Sequence, residues 1–166
     1  MHIDKKFKII SYIYIRGSLL EFVMIKSILL VDDENLFHLV FEDACSLLDI
    51  TLDLRSITSS DAAAKLFAEW QNDPKGKPEC VFVDLNIIGS SFDGIELIKK
   101  INYEYGNGVV VGIISSSADQ AEIEKSKLAG SQFWIIKSDD IEPRLELFKN
   151  DYAGYKNRTN EFKVYR

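Results

Sequence analysis

Four short apolar runs constrain this chain more than anything else in it. They are SILLVDD (27–33), CVFVDL (80–85), VVVGIIS (109–115) and FWIIK (133–137). Each is continuous rather than alternating, which is the signature of a strand buried on both faces of a sheet. Each also runs into a charged or hydroxyl residue. The first ends in two adjacent acids, Asp32 and Asp33, with Glu34 behind them. Like charges this close raise each other's cost of ionisation. Either the loop is acidic and solvated, or a cation belongs there.

The segments between the runs have helical spacing. Asn35 is placed to cap a helix over about 36–48, with Phe37, Val40, Phe41 and Ala44 on one face. ITLDLRSI (50–57) alternates and reads as a half-buried edge strand. Ser59 or Ser60 starts a second helix carrying Leu66, Phe67 and Trp70, and NDPKGKP (72–78) is a surface connection. Helices are expected around 95–103, over 118–129 up to Gly130, and after SDDIEP, where an acid caps and a proline stands early. GNGVVVG (106–112) has the glycine spacing of a nucleotide loop but precedes a strand instead of following one, so it reads as a turn.

Strands alternating with helices predict an α/β fold with a parallel sheet covered on both faces. Chemistry in such folds sits beyond the carboxyl ends of the strands. That rule brings Asp32, Asp33, Asp84, Ser115 and Lys137 to one end of the sheet. Three carboxylates suit a hard divalent cation such as Mg2+. A lysine and a serine hydroxyl suit phosphoryl oxygens. The chemistry implied is phosphoryl transfer onto a carboxylate, with Asp84 as nucleophile.

Bulk properties narrow the class. At 166 residues the chain has room for one domain with a real core, and 46% hydrophobic with 28% charged residues is ordinary for a globular protein. A formal net charge of −6 argues against a nucleic-acid binder. Cys45 and Cys80 make neither a metal pattern nor a disulfide framework and read as small buried hydrophobes, which fits a reducing cytoplasm. The uncharged run 9–15 is too short to span a membrane. Trp70 reads as packing, His38 as surface, and Ser116 and Ser117 as helix cap and space-filler.

From about Met24 to about Asn150 the sequence resembles the receiver domain of two-component response regulators, of the stand-alone, chemotaxis-regulator-like kind. The matching pieces are LLVDDE, VFVDLN, GIISSS, the AG at 129–130 and WIIK, in that order, with 22 residues from Ser115 to Lys137. The resemblance implies a doubly wound, flavodoxin-like sheet of five parallel strands in the order 2-1-3-4-5. It implies Asp84 as phosphoacceptor, Asp33 as a direct Mg2+ ligand, Asp32 acting through water, and the Asn86 backbone carbonyl completing the protein ligands. Ser115 and Lys137 are then the groups that hold the phosphoryl oxygens. Trp134 falls where the family has an aromatic residue that swings inward when the hydroxyl engages the phosphoryl group.

The sequence departs from the family in places. Ser138 stands where proline usually follows the lysine, Ile87–Ile88 replace a methionine–proline pair, and the loop before Asp93–Gly94 is about two residues longer. The switch residue is serine instead of threonine. These departures bear on loop geometry and switching, and none removes a group needed to accept phosphate.

The expected organisation is an extension over residues 1–23, in which FKIISYIYI could add a strand, the receiver over 24–150, and a short polar tail over 151–166. Expected partners are a sensor histidine kinase or histidine phosphotransfer protein and a downstream protein target, with no nucleic acid or membrane and a homodimer left open. Leu36 and Leu39, apolar at i and i+3 beside the core face of the first helix, are candidate docking residues. The chain is expected to be a phosphorylated signalling substrate and not a turnover enzyme. Two alternatives stay open: a receiver-fold binding module that acts without phosphorylation, and a magnesium phosphohydrolase. The hydrolase normally has a second acid two residues after the nucleophile, where this chain has Asn86.

Overall fold

The four apolar runs form strands where expected. The computed structural model describes residues 12–15, 18–21, 25–51 and 53–166. A hairpin of β1 (Tyr12–Ile15) and β2 (Ser18–Glu21) pairs antiparallel as its own two-stranded sheet. The expected extra strand near the N-terminus is thus a local hairpin over these residues; residues 1–11 and Met24 lie outside the described ones.

The domain follows as β3 (Ile28–Val31), α1 (Asn35–Leu47), β4 (Leu54–Ile57), α2 (Ser60–Asn72), β5 (Cys80–Asp84), α3 (Gly94–Tyr105), β6 (Val110–Ser115), α4 (Gln120–Leu128), β7 (Phe133–Ile136), α5 (Glu142–Lys156) and β8 (Lys163–Tyr165). All six strands from β3 onward lie parallel in one sheet, in the order β4-β3-β5-β6-β7-β8. The first five reproduce the expected 2-1-3-4-5 order, and β8 is an addition.

Because side chains alternate along a strand, each buried run feeds two cores. Leu30, Phe82 and Phe133 face α1 and α5, while Leu29, Val81, Val83 and Trp134 face α2, α3 and α4. The first layer is aromatic, with Phe82 within 5.0–5.1 Å of the rings of Phe41, Phe133 and Phe148. Gly112 leaves the room for this layer, since a Cβ there would lie 2.5 Å from the Phe133 ring.

Three expectations need correction. Residues 151–166 are not a polar tail: α5 runs to Lys156 and β8 pairs with β7 through Phe133↔Lys163, Trp134↔Val164 and Ile135↔Tyr165. The alternation in EFKVY explains it. Tyr165 is buried and its hydroxyl meets Tyr155 Oη at 2.7 Å and Asp151 Oδ2 at 2.8 Å, while Phe162 and Val164 pack on the other core. Asn35 does not cap α1: the Asp32 carboxylate accepts from the Glu34 N–H at 2.9 Å, so the turn closes one residue earlier and the helix starts at Asn35. No acid caps α5 either; Ile141, buried in the core, occupies that position.

Ser59 caps α2 as expected, by accepting from the Ala62 N–H. GNG over 106–108 is a 3-10 turn ahead of β6. Cys45, Cys80 and Trp70 are buried. No helix among the described residues is long and apolar enough to cross a membrane.

Candidate functional site

Strand register brings the expected residues together. Val31 lies opposite Val83, so Asp32 and Asp84 end neighbouring strands, and Asp84 is in turn paired with Ile114, next to Ser115. The Lys137 N–H donates to Ser115 O at 2.9 Å, extending the same edge through β7. The carboxylates of Asp32, Asp33 and Asp84 each offer an oxygen within 4.8 Å of the others. Asp32 is fully buried, Asp84 nearly so, and Asp33 half-buried.

The Lys137 ammonium joins this cluster. Its Nζ lies 2.6 Å from Asp32 Oδ2 and 3.0 Å from Asp84 Oδ2, with Glu34 Oε2 at 4.0 Å. It passes 4.6 Å from the centre of the Phe37 ring, a cation–π contact that guides the flexible stem. Among the described residues Asp32 Oδ2 has no hydrogen-bonding partner besides that ammonium.

The electrostatics follow from burial. Desolvation pushes the Asp84 carboxyl above the usual range, as does the Asp32 charge, while Lys137 pulls it back only in part. For Lys137 burial works against the charge, but its hydrogen bond to Asp32 and the Asp84 and Asp32 charges prevail and raise its pKa. Asp32, Asp84 and Glu34 thus meet one lysine, and Asp33, Glu34, Asp84 and Asp139 line with it a cavity of about 640 Å³. Oxygen donors of this kind and number fit a hard divalent cation that retains water. The exposed Asn86 also lines the cavity.

The acid site depends on one glycine. At Gly94, opening α3, a Cβ would stand 2.0 Å from the Asp84 carbonyl oxygen, and the Gly94 N–H donates to Leu85 O at 3.0 Å. The longer loop between them is fastened to the start of α2. Ser90 Oγ accepts from the Ser60 N–H at 3.1 Å, Ser60 Oγ donates to Phe92 O at 2.8 Å, and Asp61 accepts from the Ser91 N–H at 2.9 Å.

Ser115 and Trp134 stand beside the cavity and do not line it. Ser115 Oγ is buried and accepts from the Ser117 N–H at 3.2 Å. Trp134 is fully buried with its Nε1 donating to Ser117 O at 3.2 Å. Leu36 lines the cavity mouth, and Leu39 lies exposed along the same helix. Ser117 accepts from the Asp119 N–H and donates to the Glu122 carboxylate, but neither Ser116 nor Ser117 caps α4: Asp119 does, its carboxylate accepting from the Glu122 N–H at 3.0 Å.

Ser116, read from the sequence as cap or space-filler, and Ile88 and Asp139, given no site role there, also line the cavity. Each directly follows a strand-end residue or its loop, and that adjacency was the available signal. His38, expected at the surface, is half-buried, with Nε2 2.6 Å from the Asp32 carbonyl oxygen. No peptide bond among the described residues is cis, so Ser138 follows Lys137 in trans.

Structural comparison matches the fold to solved receivers. The fold is that of a response-regulator receiver domain. The receiver domain of NtrX from Brucella abortus aligns at 22% identity with a TM-score of 0.59, over 74% of this chain and 96% of that one. A receiver domain from Rhodospirillum rubrum aligns at 17% and 0.63, over 76% and 93%. The Mn(2+)-bound form of response regulator Rcp1 aligns at 18% and 0.62, over 82% and 98%. The larger NtrX structure matches at 23% and 0.66 over 82% of this chain, which spans only 28% of that one. No protein-family model matches the sequence, and comparison with curated proteins gives no match.

Proposed function

We propose that this receiver fold is a phosphoacceptor of a two-component phosphorelay, with Asp84 taking the phosphoryl group. The observation that carries this is the Lys137 ammonium held between Asp32 at 2.6 Å and Asp84 at 3.0 Å, in a cavity that three carboxylates make negative. An Asp84 carboxylate oxygen attacks phosphorus in line with the leaving imidazole of a phosphohistidine. The P–N bond breaks as the O–P bond forms, and the imidazole leaves with a proton. Asp33, Asp84 and the Asn86 backbone would hold a Mg2+ ion directly, with Asp32 acting through water. When bound, the ion supplies charge neutralisation between the acids and the phosphoryl oxygens. That the structural neighbour Rcp1 is a Mn(2+)-bound form supports binding of a divalent ion.

After transfer, Lys137 neutralises one phosphoryl oxygen and Ser115 donates to another. In its contact with the Ser117 N–H, Ser115 Oγ only accepts, which leaves its own O–H to donate. Output runs to a downstream protein target through the faces of these loops. The donor is a sensor histidine kinase or a histidine phosphotransfer protein, docking beside the site on the exposed Leu36 and Leu39. The domain works in the cytoplasm as a substrate with some self-catalysis, not as a turnover enzyme.

A second reading, a binding module that acts without phosphorylation, draws on Trp134 being already buried and fixed. One experiment separates them. With Mg2+ and acetyl phosphate or beryllofluoride, the phosphoacceptor gains mass or changes its tryptophan fluorescence, and Asp84→Ala abolishes this. An unmodified wild-type chain favours the binding module. Charge substitution at Leu36 and Leu39 should slow transfer from a protein donor while sparing acetyl phosphate; equal loss in both removes the docking assignment.

A further inference from the structure

The loop between β7 and α5 contains an arginine in an unfavourable place. Arg144 is the third residue of α5, where free N–H groups and the helix dipole already make the environment positive. A guanidinium there needs compensating partners, and the structure supplies them on the loop. Arg144 Nη1 donates to Ser138 Oγ at 2.5 Å and to the Asp140 carbonyl oxygen at 2.9 Å. Ser138 Oγ in turn donates to the same Asp140 carbonyl at 2.8 Å. One donor nitrogen, one hydroxyl and one carbonyl therefore close a triangle over residues 138–140.

That triangle begins at the residue after Lys137. On the other side, the Lys137 N–H is fixed to Ser115 O in the sheet. The lysine backbone is thus held both before and after its Cα, while its stem is otherwise flexible. The remaining guides are the Phe37 ring and the two carboxylates, and the carboxylates are the groups Lys137 must leave partly free to meet a phosphoryl oxygen.

We infer that Arg144 is a positioning residue: acting through Ser138 Oγ and the Asp140 carbonyl, it holds the backbone that aims the Lys137 ammonium at Asp84. In its effect on phosphoryl transfer this rests on the phosphoacceptor reading above. Positioning by a rigid partner matters because small displacements of a charge-stabilising group are costly in rate.

The full chain tests it. Arg144→Ala, Arg144→Lys, Ser138→Ala and the double alanine variant are phosphorylated with acetyl phosphate over a range of Mg2+ concentrations. Circular dichroism verifies that each is folded. Arg144→Ala should lower the saturating rate about tenfold while the half-saturating Mg2+ concentration stays within about twofold. Arg144→Lys, with one ammonium in place of the fork, should fall between. Ser138→Ala should lose less, since the bond to Asp140 survives, and the double variant should be no slower than Arg144→Ala alone. The Lys137 ammonium nitrogen resonance of the unphosphorylated protein should broaden in Arg144→Ala.

A folded Arg144→Ala protein with the wild-type rate and an unaltered lysine resonance overturns the assignment. So does a parallel loss of rate and Mg2+ affinity, which marks general collapse of the site. If the wild-type chain takes no phosphate, the phosphoacceptor reading fails and the resonance alone decides: an unmoved signal in Arg144→Ala ends the positioning role, and a broadened one sustains it.

Discussion

The indole N–H of Trp134 donates to the carbonyl oxygen of Ser117 at 3.2 Å, joining β7 to the loop that follows Ser115. Trp134 is fully buried, and Val164 of the added strand lies opposite it in the sheet. Ser115 is therefore linked to the indole through Ser117, whose N–H donates to Ser115 Oγ and whose carbonyl holds the indole. Trp134→Phe keeps an aromatic ring but loses the donor and leaves a gap. It should destabilise the protein by about 2 kcal/mol, the sum of one hydrogen bond and lost packing. Urea unfolding measures this, and a cost indistinguishable from zero would show that the bond holds nothing.

Asp84 is a stability liability at neutral pH. Its folded-state pKa is raised, by burial first and by Asp32 second, so its contribution is fully present below the unfolded carboxylate pKa. That contribution is lost as pH rises through the folded value. Asp84→Asn should accordingly raise the melting temperature at pH 7 without divalent ions, with the gain shrinking toward zero below about pH 3.8. An Asn variant less stable than wild type at pH 7 contradicts the sign.

Lys137 is the ammonium that offsets Asp32 and Asp84. Removing it in Lys137→Met leaves both carboxylates uncompensated, one of them fully buried. The expected loss is about 3–5 kcal/mol without metal. Mg2+ should then return a larger share of stability to this variant than to wild type, because the cation takes over the missing charge. Thermal melts with and without Mg2+ measure both effects; identical shifts in the two proteins would rule out shared neutralisation.

The last strand rests on Tyr165. Its hydroxyl meets Tyr155 and Asp151, and burial first, then the bonds to those two groups, pushes its pKa far above the ordinary tyrosine value. Tyr165→Phe should cost about 1–2 kcal/mol, since it leaves the buried Tyr155 hydroxyl without its acceptor and Asp151 Oδ2 without that donor, and Tyr165→Ala about 3–5 kcal/mol. Hydrogen exchange at residues 163–165 should rise in both. Unchanged protection in the alanine variant would mean that β8 is held by the backbone pairing alone.

This strand marks the limit of what is legible in the sequence. Asp32, Asp33, Asp84 and Lys137 were legible because buried parallel strands are apolar throughout and their chemistry collects at one end. Residues 163–165 were not, because three residues alternate too briefly to outweigh the charged composition around them. Nor was the Arg144 triangle, whose members are loop residues joined through a hydroxyl and a carbonyl, with no periodicity to announce them. The same holds for the start of α1. Asn35 has the better capping chemistry, yet Asp32 closes the turn from within the site and takes precedence.

Gly94 ties the helix α3 to Asp84. A Cβ at this position would meet the Asp84 carbonyl oxygen at 2.0 Å, carbonyl carbon at 2.9 Å and Leu85 Cα at 3.1 Å, all backbone atoms with little freedom to yield. Gly94→Ala should therefore displace the end of β5 and cost about 1–3 kcal/mol. Gly89 is the comparison. Its φ of +76° makes alanine strained by about 1 kcal/mol, but no atom lies within 4 Å of the added Cβ. Both variants should lose stability, while only Gly94→Ala should weaken Mg2+ binding, followed by fluorescence titration. Equal metal affinity in the two would mean that Asp84 is not held in place from the α3 side.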